Sequence, residues 1–236
     1  MLNLVWKDIL ILKRILWIAP IYGFCGLFVF SFTMQGAALS FITIMVTYTL
    51  LDRACDLDAR NNSEIILNSL PLCRRDIVLA KYVSVFLYAA IAILSFVFAQ
   101  EAVSVTGIPV LGGAQAPISK ISLVGFVGAL VAMVAFISFY YPIYFKLGYA
   151  RIKWVGMILV LSLMFFIPIG GSIIARGFGG VRNPILRNII VLIGRLGNWL
   201  QTQTDWQIAS YMLVLALILM SASVRLSMRF YARREF

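Results

Sequence analysis

From Ile15 to Leu51 the chain runs 37 residues without a formal charge; eight charges then fall within the 26 positions from Asp56 to Lys81. As a single helix the uncharged run would reach roughly 55 Å at ~1.5 Å per residue, well beyond the ~30 Å core of a bilayer. It therefore reads as two crossings that turn near Gln35-Gly36. In lipid every backbone donor and acceptor must be paired internally, and an α-helix does this within one segment. The expected fold class is all-α and integral to a membrane. Composition agrees: 62% of the residues are hydrophobic and 12% charged, against about 45–50% and 25% in soluble domains. The first apolar run is also far longer than the ~7–15-residue core of a signal peptide.

Six crossings are predicted, at about 15–34, 37–52, 81–100, 121–145, 152–167 and 208–224. Gly107, Pro109, Gly112, Gly113 and Pro117 mark the loop after the third, and Pro168 with Gly170-Gly171 interrupts the fifth. No internal repeat or linker divides the chain, so residues 1–236 read as one transmembrane domain. Six crossings put both termini on one side, and that side holds 15 of the 20 Lys and Arg residues. The positive-inside rule places it in the cytoplasm. The net charge of +11 then reflects topology and lipid headgroups as partners, not a nucleic-acid groove.

Several chemistries are excluded by residue type. Histidine is absent, which removes Ser–His and Cys–His nucleophiles and the HExxH metal site. Cys25, Cys55 and Cys73 are an odd set without CxxC spacing, so neither a disulfide framework nor a zinc site is expected. No GxxxxGK[ST] motif cradles phosphates: Pro117 stands five residues after Gly112. No catalytic residue, metal ligand or cofactor is therefore assigned to this chain.

Five segments carry more than topology. Residues 2–14, "LNLVWKDILILKR", pattern as a short interfacial helix with Trp6 at headgroup level, or else lengthen the first crossing. In "NNSEIILNSLPLCRRDIVLAKY" (61–82), Asn61 can cap a short helix that has Glu64 at its third position and ends at Pro71. Such a helix either lies on the headgroups or inserts into a groove on a cytoplasmic protein. Lys81 can snorkel from the membrane edge. "NPILRNIIVLIGRLGNWL" (183–200), opened by Asn183 and Pro184, reads as an amphipathic outer helix that lies on the surface or re-enters the membrane. Ser40, Thr43 and Thr47 form a hydroxyl stripe, which serves either helix packing or a transport pathway. "GFVGA" (Gly125–Ala129) suits close helix approach.

The 61–82 stretch, together with "WKDILILKR" (6–14), resembles the small ABC-2-type permeases. Their corresponding loop follows the pattern S-E-x-x-L-N-S-L-P-x-S-R-x-x-I-V-x-x-K-Y, and Cys73 stands here where the pattern has serine. The resemblance implies the membrane half of an ATP-binding-cassette transporter. Asn62, Ser63, Glu64, Ile65, Ile66, Leu67, Asn68, Ser69 and Leu70 would form the coupling helix that docks on a separate ATPase. The turn containing Gly148, Tyr149 and Arg151 would be the second contact. ATP and Mg would be bound by that partner, and a second permease chain would complete the pathway. Re-entrant helices between spans 5 and 6 would gate it through Pro184, Arg187, Ile190 and Arg195. Spans 2 and 5 would wall it, which adds Phe165 and Phe166 to the hydroxyl stripe.

The expected function is export of a hydrophobic or amphipathic cargo, with membrane-active peptides favoured, across the plasma membrane of a bacterial cell. A non-transporting sensor of the same layout is not separable by sequence. An ion-coupled transporter would show inverted repeats and buried ionisable residues. An intramembrane enzyme would place paired acids in mid-span. The sequence displays neither pattern.

Overall fold

The computed structural model describes residues 6–7, 10, 12, 15–30, 35–61, 63, 73–106, 122–175 and 202–233. Six helices carry most of them: α1 (Ile18–Phe30), α2 (Gln35–Arg60), α3 (Arg74–Thr106), α4 (Leu123–Leu147), α5 (Tyr149–Ala175) and α6 (Asp205–Ala232). The described residues contain no strand. Segments of α2, α3, α4 and α6 are long and apolar enough to cross a bilayer, and α1 is a shorter apolar helix. These features make the chain a multi-pass membrane protein.

The helices outrun the apolar segments that predict them. α2 continues past residue 52 to Arg60, and α3 begins at Arg74 and ends at Thr106. Hydrophobicity marks where a helix meets lipid; it is silent about charged turns that continue into water. Asn61 closes α2, its N–H donating to the Leu57 carbonyl at 3.0 Å; apart from the helical Ser63, the short helix expected after it lies outside the described residues. α5 runs unbroken through Pro168, Gly170 and Gly171, so the expected interruption is absent. A proline removes one backbone donor, and a membrane helix tolerates that loss when neighbouring groups compensate.

Local chemistry sets the better-defined ends. The Ser122 hydroxyl accepts the Gly125 N–H at 3.0 Å and opens α4. Thr204 opens α6, its N–H donating to Gln207 Oε1 at 3.1 Å. Between α4 and α5 stands a single residue, Gly148, at φ 77°. That left-handed conformation penalises a side chain, and the Gly148 N–H closes α4 on the Tyr144 carbonyl at 2.8 Å.

α2 lies centrally, packed against α1, α3, α4 and α5, while α4 and α6 form the most extensive pairing. An aromatic ladder on α4 joins its neighbours. Phe136 meets Tyr48 of α2 with ring centroids 5.8 Å apart, and Phe145 meets Tyr231 of α6 at 5.3 Å. Close approach depends on glycines other than those the sequence suggested. A Cβ on Gly23 would lie 2.8 Å from the Ser95 carbonyl oxygen of α3, and one on Gly156 would lie 2.8 Å from the Tyr140 ring. At Gly128, within "GFVGA", the nearest neighbour would be the Met212 methyl at 4.0 Å, and at Gly125 it is the capping Ser122 hydroxyl. Spacing alone does not say which glycine faces a neighbour.

Candidate functional site

Ion pairs and long-range polar contacts gather at the end of the bundle where α2, α4 and α6 finish and α3 and α5 begin. There α2 and α3 form the two stems of the segment spanning residues 61–73. Asp58, near the end of the α2 stem, is 3% exposed, and Lys81, two turns into α3, is 9% exposed. The two form an ion pair through Asp58 Oδ2, and Lys7 donates to Asp58 Oδ1 at 2.9 Å. The Tyr141 hydroxyl of α4 donates to the Lys81 carbonyl at 2.7 Å. Lys81 therefore does not snorkel; it turns inward to a carboxylate. A buried charge is tolerated when its counter-charge and further hydrogen bonds are already in place.

This arrangement makes the stems one mechanical unit. Lys7, from the N-terminal amphipathic segment, attaches that segment to the same carboxylate. A void of about 10 Å³ beside the pair is lined by Ser63 as well as Asp58 and Lys81, so the 61–73 segment begins directly against the clamp. Across the bundle, the Tyr149 hydroxyl reaches Asp52 Oδ1 at 3.4 Å. Asp52 and Asp58 are six residues apart on α2, about 9 Å along the axis. Ser63 and Tyr149, one from each segment singled out for docking, are thus both placed beside acidic residues of α2.

Within the second segment Gly148 is buried, Tyr149 half-buried and Arg151 exposed. Of the first, Ser63 is helical and half-buried; Asn62, Glu64, Ile65, Ile66, Leu67, Asn68, Ser69 and Leu70 lie outside the described residues. Ser40 is half-buried, while Thr43 and Thr47 are fully buried within the chain. Thr43 donates to its own helix at the Leu39 carbonyl, 2.7 Å away, and Thr47 Oγ1 has no hydrogen-bond partner among the described residues. Phe165 and Phe166 fall within α5, of which only the backbone is described there. The outer-gate residues Pro184, Arg187, Ile190 and Arg195, and most of the 2–14 segment, lie outside the described residues. Trp6 is helical and largely exposed, while Leu12 is buried against the bundle.

Two polar clusters escaped the sequence reading. One is the Lys7–Asp58–Lys81 group. The other joins Tyr82 of α3 to Ser223 and Ser227 of α6, with oxygen–oxygen distances of 2.6 and 2.9 Å. Ser223 also donates to the Ser138 carbonyl of α4 at 3.2 Å. Together the clusters fasten α3 to α2, α4 and α6 near one end of the bundle, and leave the opposite half of α6 with an exposed apolar surface.

The comparison with family models returned a match over residues 3–232 to one described as ABC-2 family transporter protein. No curated protein and no solved structure was matched. Membrane subunits of that family are transport components that normally work with a cassette ATPase. The match takes in all six helices and both stems of the 61–73 segment, and the chain belongs to the ABC-2 transporter family.

Proposed function

We propose that this chain is the permease subunit of an exporter in the plasma membrane of a bacterial cell. Two permease chains would enclose a pathway for hydrophobic or amphipathic cargo, with membrane-active peptides as the favoured class. A separate cassette ATPase, carrying ATP and Mg, would dock on residues 62–70 and on the turn of Gly148, Tyr149 and Arg151. In this reading the charged end, with both termini, faces the cytosol. The observation that carries the proposal is the Asp58–Lys81 clamp beneath the 61–73 segment. A segment on independent, flexible stems would absorb the motion of a docked ATPase; clamped stems pass it to α2 and α3.

α2 would be the transmitting element, because Ser63 and Tyr149 both lie beside it and it touches four neighbouring helices. Ser40, Thr43 and Thr47 on α2, with Phe165 and Phe166 on α5, are the proposed pathway walls. Thr43 and Thr47 are covered in the single chain, so they reach the cargo when nucleotide hydrolysis shifts the helices that cover them. Thr47 is suited to that exchange, since its hydroxyl has no hydrogen bond to give up among the described residues. On the far side, residues 183–200 would form the gate, with Pro184, Arg187, Ile190 and Arg195 at its surface.

The test is co-purification with the ATPase. Glu64→Arg and Ile66→Asp each release the ATPase while the permease remains folded and inserted. Retention of the ATPase by both variants would remove residues 62–70 from the interface. For cargo, candidate peptides raise ATP turnover of the reconstituted complex; unchanged turnover across membrane-active peptides would exclude that class.

A further inference from the structure

A cleft of about 630 Å³ opens between the start of α3 and the end of α6, with Arg75, Arg225 and Arg229 in its wall beside Cys73 and Met228. None of the three guanidinium groups pairs with a carboxylate among the described residues. Guanidinium suits phosphate because its planar fork donates two parallel hydrogen bonds to two oxygens. We propose that this cleft is a binding site for the headgroup phosphate of an anionic phospholipid.

The surface next to the cleft selects a lipid over a free anion. At 3.6 residues per turn, Leu215, Ile218, Ala222, Arg225 and Arg229 fall within about 80° of one another around α6. All five are exposed, so one uninterrupted face runs from aliphatic side chains to guanidinium groups. An acyl chain on the aliphatic part delivers its own phosphate to the depth of the arginines. The tether keeps the phosphate at high effective concentration there, whereas a soluble anion must be drawn from bulk against salt screening. Among the described residues the face is also uncovered, since α6 is the least buried of the long apolar helices. Each basic residue near an anionic surface strengthens binding by about fivefold, so losing two weakens it roughly thirtyfold.

Cys73 supplies the readout, being exposed in the cleft wall, whereas Cys55 is buried. The full chain with Cys25→Ala is reconstituted in phosphatidylcholine vesicles with and without phosphatidylglycerol, and alkylation of Cys73 by membrane-permeant N-ethylmaleimide is timed. Phosphatidylglycerol slows alkylation about tenfold in the parent chain and leaves it nearly unchanged in R225Q/R229Q, while inorganic phosphate in the neutral vesicles has no effect. If the double variant does not insert, R75Q and R229Q singly each lose about fivefold of the protection, and R225K/R229K retains part of it. Equal rates with and without phosphatidylglycerol would overturn the site. So would slowing that persists in the glutamine variants, which reports surface potential alone. Protection by inorganic phosphate as strong as by the lipid would instead make it a soluble-anion site.

Discussion

Replacing Lys81 with Met removes the buried ammonium and keeps most of its aliphatic volume. Asp58 is then left 3% exposed with Lys7 as its remaining counter-charge. Breaking a buried ion pair by deleting one partner costs about 3–5 kcal/mol. The surviving Lys7 contact belongs to a side chain 33% exposed, so its compensation is discounted for solvent screening, to about 1 kcal/mol. The expected net loss is about 2–4 kcal/mol, or roughly 4–16 °C in Tm at about 2–4 °C per kcal/mol for a chain of this size. Thermal unfolding of the detergent-solubilised chain, followed by tryptophan fluorescence, reads it. Asp58→Leu combined with Lys81→Met removes both charges and recovers most of the loss, since apolar replacement of a buried pair is often neutral. Arg60→Ala, which removes the exposed pair with Asp56, is the control and shifts Tm by no more than about 1–2 °C. A Lys81→Met shift no larger than the control, or a double variant no better than the single, would refute the clamp.

Gly23→Ala sets a Cβ against a main-chain oxygen of α3 and destabilises the chain by about 1–3 kcal/mol. Gly128→Ala, where the nearest atom is a methionine methyl, is neutral or stabilises by up to about 1 kcal/mol. Opposite signs in the same melting assay support the assignment of the tight contact to α1, and equal effects contradict it. Tyr82→Phe keeps the ring and deletes the hydroxyl shared with Ser223 and Ser227. It costs about 1 kcal/mol, and the combination with Ser223→Ala and Ser227→Ala costs less than the sum of the separate changes; strict additivity would show that the three do not act as a group.

The membrane class and the approximate places of the crossings were legible in the sequence because lipid acts on composition. Twenty apolar residues leave a signature that no distant contact need confirm, and the predicted fourth crossing at 121–145 lies within two residues of α4. What extends beyond the lipid leaves no such signature, so the last two turns of α2, from Arg53 to Arg60, lie outside the predicted second crossing. The restart of the chain as a helix after Pro71, with Asp76 in its first turn, is by contrast readable from the sequence and is where α3 begins. Pairing was illegible for a different reason. Lys81 meets Asp58 across 23 residues, and Tyr82 meets Ser227 across 145; nothing in either neighbourhood announces its partner. Lys81 at a membrane edge fits snorkelling equally well until packing places a carboxylate beside it. The hydroxyl stripe of Ser40, Thr43 and Thr47 was visible as a stripe, yet its burial depends on which helices cover α2. Of the residues proposed to dock the ATPase, Ser63, Gly148, Tyr149 and Arg151 are placed by the structure, and the position of Ser63 beside Asp58 and of Tyr149 on Asp52 emerges only there.

The most direct measurement is site-specific photo-crosslinking from position 63 in living cells, using a benzophenone amino acid in place of Ser63. Ser63 borders the Asp58–Lys81 clamp, and a probe there reports both the compartment and the neighbour. The predicted result is a covalent adduct with a cytosolic chain carrying the GxxxxGK[ST] motif, lost when Ile66→Asp is introduced. An adduct with an extracytoplasmic protein, or with lipid alone while the ATPase remains bound to the permease, would contradict the account.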